Sequence, residues 1–285
     1  MSGGHRVTTV NSGAAPTAVW RDAPAYWQIV RSRIRTAVEY RQNTASLLVV
    51  VVIQVFILCK VWSALYDGQA TVGGMPLHSL LAYLTLASLQ NWVLADTTVA
   101  RYIYTRIREG QVVFDLMRPV GYVPQMLAHL TGASIATSLS ALVALPFVAL
   151  AGTLTAPVSL AAAGLYAVSL LAGYAIALLL TLLVSLVAFW TMEIAGLTML
   201  YSLVNQFFAG ALVPLGFFPA PLRIIAELLP FQATTYAPVE IYVGRLGGVA
   251  ALRTIGLQLA WIVFLGLVSR FMWRRAARRT VIQGG

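Results

Sequence analysis

Ionisable and nucleophilic side chains are few in this sequence, and none of them forms a catalytic pattern. His5, His78 and His129 each lack a second metal ligand at helical spacing, and no Ser-His-Asp set or carboxylate pair is apparent. The only lysine, Lys60, follows the only cysteine, Cys59, whereas a phosphate-binding Walker loop needs Gly-Lys-Ser or Gly-Lys-Thr. The sequence therefore predicts no enzyme active site, no metal site and no cofactor, and it excludes a Walker-type ATPase site within this chain.

The composition indicates a polytopic membrane protein. The chain has 285 residues, of which 59% are hydrophobic and only 10% charged, and its mean hydropathy is +0.81. Soluble domains carry about 25% charged residues, whereas apolar runs of membrane-spanning length recur here along most of the chain. We therefore predict an all-α fold in which a cytoplasmic N-terminal segment, 1–43, precedes a single transmembrane domain, 44–285, with a short basic cytoplasmic C-terminus.

Six apolar segments are long enough to cross a membrane as helices. A helix rises about 1.5 Å per residue, so about 20 residues cover a hydrocarbon core of about 30 Å. The predicted spans are 45–66, 77–97, 127–150, 160–190, 194–215 and 249–273. An even number of spans places both termini on the same side of the membrane.

The distribution of positive charge gives the orientation. With the N-terminus inside, all but four of the 19 lysine and arginine residues fall in or beside cytoplasmic segments, and the four are Lys60, Arg223, Arg245 and Arg253. This topology accounts for the formal charge of +10 without a nucleic-acid partner. Enrichment in alanine, leucine and arginine with one lysine is typical of a high-GC bacterial genome. We therefore expect the bacterial cytoplasmic membrane, with both termini in the cytoplasm.

An amphipathic, arginine-rich pattern occupies residues 24–42, before the first span. Two faces of a helix separate there: Trp27, Val30, Ile34, Val38 and Arg41 on one, and Arg31, Arg35 and Glu39 on another. Such a helix is expected to lie along the cytoplasmic membrane surface. It could serve only as an anchor attracted to anionic lipid, or it could take part in gating.

The cytoplasmic stretch 99–120 is longer than the 2 to 8 residues or so that a connector in a helix bundle needs. Its first part has an apolar face and a polar face, formed by Val99, Tyr102, Ile103 and Ile107 and by Arg101, Thr105 and Arg108. Gly110 is placed to end this helix. The stretch is either a solvated, positively charged loop or a helix that docks against a partner.

Prolines interrupt the apolar and aromatic segment 213–248, between the fifth and sixth predicted spans. These prolines cannot all lie in one straight helix, so we predict short broken helices that pack at the outer membrane face or re-enter the membrane. Irregular backbone is tolerated at that depth only where protein or a water-filled cavity satisfies it. The segment is therefore a candidate outer gate or a passive cap. The candidate gate residues are Pro214, Phe218, Pro219, Pro230 and Phe231.

Uncharged polar side chains near the middle of the spans are candidates for a translocation pathway. They are Gln54, Asn91, Asn205 and Gln206, and Phe207 beside them is a candidate contact for an aromatic or amphiphilic cargo. Hydrogen bonds between helices would explain the amides equally well. Membrane packing would likewise explain the aromatic ring.

Several motifs point together to one family. They are Glu39-Tyr40-Arg41 with Asn43, Ile107-Arg108-Glu109-Gly110, Leu116-Met117-Arg118-Pro119-Val120, Phe189-Trp190 with Glu193, Gly210, Pro214, Phe218-Pro219, Leu229-Pro230-Phe231, Tyr236, Pro238 and Ile241-Tyr242-Val243-Gly244. In this order they resemble the permease subunits of type-2 ATP-binding-cassette (ABC) transporters, in particular a bacterial subfamily with six spans. The resemblance covers about residues 40–273.

The resemblance implies a transport subunit that is not itself an enzyme. In that family two permease subunits face each other, and two cytosolic ATPases beneath them bind ATP and Mg²⁺. The helix after the second span docks onto the ATPase, which makes Arg101, Arg106, Arg108 and Glu109 candidate coupling residues. The resemblance also implies export of a small or amphiphilic molecule, by two copies of this chain or by this chain with a paralogous permease.

The alternative function is an ion-coupled secondary transporter. It predicts paired carboxylates at membrane depth or inverted repeats, and neither is evident in the sequence. A third alternative, an intramembrane enzyme or membrane-assembly protein, predicts a convergent catalytic set, which is also not apparent.

Overall fold

The protein is a bundle of helices with one short β-hairpin. The structure, a computed structural model, describes residues 23–39, 41–94, 98–118, 120–150, 154–191 and 194–282. Its helices are α1 (Ala23–Glu39), α2 (Arg41–Tyr66), α3 (Leu77–Leu94), α4 (Thr98–Arg108), α5 (Val112–Leu116), α6 (Tyr122–Leu150), α7 (Leu160–Val187), α8 (Ala195–Phe208), α9 (Ala220–Leu228), α10 (Tyr236–Tyr242) and α11 (Gly248–Ile282). Strands β1 (Thr71–Val72) and β2 (Met75–Pro76) pair antiparallel between α2 and α3.

Four of the described helices are long and apolar enough to cross a membrane. They are α2, α6, α7 and α11, and their apolar windows are Val49–Tyr66, Tyr122–Val143, Leu160–Val187 and Gly248–Arg278. The polytopic all-α prediction is thereby confirmed. The second and fifth predicted spans correspond to α3, with 18 residues, and α8, with 14 residues, and neither meets both requirements. The count of six spans therefore stays a prediction.

The observed helix boundaries differ from the predicted spans at several points. Helix α6, which corresponds to the third predicted span, begins at Tyr122, five residues before the predicted start, and α8 ends at Phe208. The early end of α8 follows from Gly210, whose φ of +73° takes the chain out of the helix. Gly110, with φ of +72°, lies just beyond α4 as predicted. The predicted segment 1–43 lies partly outside the described residues.

Two buried clusters mark the two ends of the bundle. At the hairpin end, the Tyr66 hydroxyl donates to the Met75 carbonyl at 2.8 Å, and both residues belong to a cluster that includes Leu215. At the other end, here called the α4–α5 end, Tyr122 stacks on Trp273 with ring centroids 4.2 Å apart. Helix α7 runs between the two ends and packs against α4, α10 and α11.

The connection between α9 and α10 enters the bundle between α7 and α11. Gln258 of α11 donates from Nε2 to the carbonyls of Ala233, at 2.7 Å, and Ser169, at 3.0 Å, and its Oε1 accepts from the Ser169 hydroxyl at 3.0 Å. Ser169 is nine residues into α7 and Gln258 ten residues into α11. At 1.5 Å per residue, Ala233 therefore lies about 14 Å from the start of either helix.

Gly173 allows this connection to approach α7 closely. A Cβ at Gly173 would lie 2.8 Å from the carbonyl oxygen of Ala233 and 2.9 Å from that of Thr234. Only glycine fits such a contact without movement of the backbone. The connection thus contains irregular backbone that is satisfied and enclosed by protein, the condition under which such backbone is tolerated at membrane depth.

We predict that Gln258→Leu lowers the thermal unfolding temperature of the purified chain in detergent. The substitution removes all three hydrogen bonds, and each buried polar group left unpaired costs about 1–3 kcal/mol. Gln54→Leu is the matched control, because Gln54 is half-buried on α2 and makes no hydrogen bond to another described residue. Equal unfolding temperatures for the two variants would show that Gln258 does not fasten this connection.

Candidate functional site

Helix α4 packs its predicted apolar face against the bundle. Ile103 is fully buried beside Leu182 and Leu186 of α7, and Tyr102 and Ile107 are half-buried, whereas the side chain of Val99 lies outside the described residues. On the other face the side chains are exposed, namely Arg101, Thr105, Arg108 and Glu109. The helix is therefore docked on α7 with its charged face open.

Arg106 is directed into the chain, unlike Arg101 and Arg108. Its guanidinium donates to both carboxylate oxygens of Asp115, from Nη2 to Oδ1 at 3.1 Å, and to the side chain and carbonyl of Gln111 at 3.2 Å. Asp115 is only 2% exposed and also accepts a hydrogen bond of 3.2 Å from Gln125 of α6. This bidentate, charge-assisted pair fixes α5 to α4 and α6.

The short helix α5 has an inverted distribution of side chains. Its charged residue, Asp115, points inward, while Val113, Phe114 and the following Met117 are 52%, 66% and 75% exposed. Sequence reasoning overlooked these three residues. The available signal was an acidic residue embedded in an apolar run, because a carboxylate that finds a buried partner turns its apolar neighbours outward. The result is an apolar surface at the α4–α5 end, with Arg101, Arg108 and Arg118 exposed on the same segment.

The structure joins two of the predicted pathway residues. Asn205 of α8 donates from Nδ2 to the Oδ1 of Asn91 on α3 at 3.2 Å, and both side chains are buried. This is the hydrogen bond between helices that the sequence left open as an alternative. Gln206 is half-buried beside it, Phe207 is exposed, and Gln54 lies on α2 and does not contribute to this pair.

The predicted gate residues lie along the connection after α8, and their aromatic rings meet that helix. Phe218 stacks on Phe207 at 5.0 Å between centroids, and Phe231 stacks on Phe208 at 6.4 Å. The prolines occupy turning points: Pro214 precedes the 3-10 turn Leu215–Phe217, Pro219 precedes α9, and Pro230 begins the turn that leads to α10. Of the five predicted gate residues, Phe218 and Phe231 thus contact α8, and the three prolines shape the connection that follows it.

Glu240 is a buried acid on α10 that the sequence analysis did not single out. Its Oε2 lies 3.3 Å from Nε of Arg245, and the side chain is 4% exposed. Burial raises the pKa of Glu240 to about 7, against the lowering effect of Arg245 and of Arg223. The carboxyl group therefore takes up a proton near neutral pH.

We predict that Glu240 makes the stability of the protein depend on pH. Because its pKa is higher in the folded than in the unfolded chain, where it is near 4.5, stability falls as pH rises from about 4.5 to about 7 and is level above that. The effect is roughly 2–3 kcal/mol over that range. Thermal unfolding across this pH range should show the decline for the wild type and a flatter profile for Glu240→Gln. Glu227→Gln, which alters an exposed acid on α9, should keep the wild-type profile; a decline retained by Glu240→Gln would contradict the assignment.

Cysteine accessibility distinguishes two of the four predicted pathway amides, Asn205 and Gln206. The thiolate that reacts with a maleimide forms only where water reaches it, and Cys59 is the only native cysteine. In a Cys59→Ala background, we expect Gln206→Cys to react with a water-soluble maleimide and Asn205→Cys, which is buried, to remain unreacted. If Gln206→Cys is equally unreactive in the membrane-embedded protein, Gln206 does not line an aqueous pathway.

A comparison with known protein families identifies the family of this chain. The family model described as "ABC-2 family transporter protein" matches residues 42–284, which contain α3 to α11 and all but the first residue of α2. A comparison with curated proteins finds no match. Since the family match extends over most of the sequence, the chain belongs to the ABC-2 transporter family.

Proposed function

We propose that this chain is the permease subunit of an ATP-driven exporter and works with a separate cytosolic ATPase that binds ATP and Mg²⁺. The family match over residues 42–284 carries this proposal, because ABC-2 permeases are transport subunits that generally act with an ATPase partner. The absence of a Gly-Lys-Ser or Gly-Lys-Thr motif from the sequence agrees with that division of labour. Family membership does not favour the alternative of an ion-coupled secondary transporter.

The α4–α5 end is the cytosolic side in this proposal. Exposed arginines accumulate there, on the segment 98–118 and on the last turns of α11, where Arg270, Arg274, Arg275 and Arg278 are exposed. The positive-inside rule assigns such an end to the cytoplasm. Both termini are then cytoplasmic, in the plasma membrane of a bacterium.

Six spans are proposed because α3 and α8 each connect the two ends of the bundle. Helix α3 starts at the hairpin and leads to α4, and α8 leads from Phe189 at the α4–α5 end to Leu215 at the hairpin end. Helix α8 is shorter than a full span, and only three of its 14 residues are buried. Helix α3 needs less hydropathy than a lipid-facing span, because the rest of the protein surrounds much of its surface. Almost every side chain from Leu80 to Asn91 is buried.

The ATPase docking surface is proposed to centre on Phe114 and Met117. Large apolar side chains exposed on an aqueous side mark interaction sites, and the exposed Arg101 and Arg108 provide a positive rim. The partner groove should therefore be apolar with an acidic border. Arg106 and Glu109, both predicted as contacts, also act within the chain: Arg106 holds Asp115, and Glu109 accepts a 2.9 Å hydrogen bond from Gln111.

The pathway is proposed to lie along the exposed face of α8, against a second permease copy or a paralogous one. Phe207, stacked on Phe218, and the half-buried Gln206 present aromatic and amide groups on that helix. Such a surface suits a small amphiphilic cargo. The connection from Pro214 to Tyr242, in which Pro214, Pro230 and Pro238 are buried and the aromatic rings contact α8, would close the outer side as a gate.

We predict that Phe114→Ser combined with Met117→Ser weakens ATPase binding at least about tenfold, since central apolar side chains carry most of the affinity of an interface. The measurement is co-purification of the native ATPase in mild detergent, with ATP hydrolysis assayed in the eluate. Leu228→Ser is the matched control, because Leu228 is also exposed and apolar but lies on α9.

Three outcomes of this experiment are decisive. Retention of the ATPase by the control and its loss from the double variant support the docking surface. Equal retention of the ATPase by both variants would show that Phe114 and Met117 do not form the docking surface. A wild-type chain that purifies without any ATPase and shows ion-driven flux in vesicles would overturn the proposed function itself.

A further inference from the structure

Helix α1 has two faces of different character. Its inward face packs on α6 through Val30, which is buried, and Arg33, which is half-buried. Its outward face bears Trp27, Arg31 and Arg35, which follow one another at intervals of four residues and are all exposed. The arrangement differs from the predicted one, in which Trp27 shared a face with Val30, because packing on α6 is centred on Val30 and Arg33.

The inward face fits α6 closely. A Cβ at Gly132 of α6 would lie 2.8 Å from the Cβ of Arg33 and 2.9 Å from the carbonyl oxygen of Val30, so the helices meet where α6 has no side chain. Beside this contact, Nε of Arg33 donates to Nδ1 of His129 at 2.9 Å. Because arginine can only donate, His129 must accept through an unprotonated Nδ1 and is therefore neutral.

Arg33 also contacts the helix that precedes the proposed docking surface. Its guanidinium lies 4.1 Å from the centre of the Tyr102 ring on α4, and the guanidinium of Arg106 lies 5.5 Å from the same ring. Arg106 in turn holds Asp115, which fixes α5. A continuous set of contacts thus leads from α1, through Tyr102 and Arg106, to the segment that exposes Phe114.

The outward face is placed to meet lipid headgroups. Helix α1 packs on α6 near Gly132, at the end of the bundle that carries α4 and α5. Gly132 lies five residues into the predicted third span, 127–150, about 8 Å from its cytoplasmic start. An exposed indole and two exposed guanidiniums on one stripe match the interfacial zone of a membrane, where indole rings settle and arginines pair with phosphate. The two positive charges of Arg31 and Arg35 favour an anionic headgroup over a zwitterionic one. Glu39, four residues after Arg35 on the same face, has its side chain outside the described residues.

We propose that Trp27, Arg31 and Arg35 form a binding site for anionic phospholipid headgroups, and that Arg33 conveys the occupancy of this site to the ATPase docking surface. The lipid-binding part of this proposal concerns α1 alone. The part that links lipid binding to the ATPase docking surface rests on the proposed function. A bound headgroup holds α1 at a fixed depth beside α6. That depth determines whether Arg33 contacts both His129 and Tyr102. Bound lipid therefore favours the arrangement in which Arg33 holds α4 through Tyr102.

The test uses the full transporter complex in nanodiscs of phosphatidylcholine with increasing fractions of phosphatidylglycerol. Two quantities are measured: retention of phosphatidylglycerol by the chain, through native mass spectrometry, and ATP hydrolysis by the complex. Wild-type protein should retain the anionic lipid, and its ATP hydrolysis should rise with the phosphatidylglycerol fraction. Arg31→Gln with Arg35→Gln should reduce retention and raise the fraction needed for half-maximal stimulation at least about fivefold.

A matched control removes the same charge from another helix. Arg274→Gln with Arg278→Gln alters two exposed arginines on α11 that are also four residues apart, and it should keep the wild-type lipid response. An equal loss in this control would reduce the effect to general surface charge and overturn the site on α1. Unchanged retention by the Arg31 and Arg35 double variant would overturn it as well.

Arg33 is tested separately as a positioning residue. Arg33→Gln leaves Arg31 and Arg35 in place, so it should retain phosphatidylglycerol but lose the stimulation of ATP hydrolysis. If Arg33→Gln does not fold, Tyr102→Leu is used in its place, because it removes only the ring beneath the guanidinium. It should give the same result. Stimulation that persists in these variants would disprove the role of Arg33. Lipid retention needs no ATPase, so failure of the proposed function leaves the binding site independently testable.

Discussion

Buried backbone groups need hydrogen-bond partners inside the protein wherever water is absent, and the hairpin-end half of this bundle depends on that constraint. The chain leaves helical geometry after Leu228 and resumes it at Tyr236, so the Ala233 carbonyl requires a side-chain donor. Gln258 supplies it and uses its remaining capacity on Ser169. One amide side chain therefore sets the depth of the connection between α7 and α11. The contact of Phe231 with α8 follows from that depth, because Phe231 is only two residues away from Ala233.

The same constraint, applied to a carboxylate, organises the α4–α5 end. Removing a charge from water is costly unless close partners replace the solvent, and Asp115 has Arg106 and Gln125. With the carboxylate inward, helical geometry leaves Phe114 and Met117 no position except the outside. The exposure of these apolar side chains is thus a consequence of satisfying a buried charge. A solvated loop would leave Asp115 in water and gain nothing from this inversion.

Hydropathy and glycine placement predicted much of the fold from the sequence. The four helices of spanning length and the end of α4 near Gly110 follow from local patterns. Local patterns did not predict the pairing of Asn91 with Asn205, because these residues are far apart in the sequence. They also did not predict that Arg106 turns inward, because this depends on the nearby acid Asp115. Helix α8 ends early for a similar reason: Gly210 adopts positive φ where Tyr83 donates to its carbonyl at 2.8 Å. Local hydropathy cannot report such tertiary contacts.

Helix α7 joins the proposed docking surface to the proposed gate as one rigid element. Its 28 residues extend about 42 Å without interruption. Near one end Leu182 and Leu186 support Ile103 of α4, and further along Gly173 contacts the carbonyls of Ala233 and Thr234. Close-packed interiors transmit displacement and do not absorb it. A shift of α4 that moves α7 is therefore expected to move the backbone at Ala233 as well, because the carbonyls of Ala233 and Thr234 pack where Gly173 has no side chain. Coupling between the two ends then needs no flexible hinge within the described part of α7.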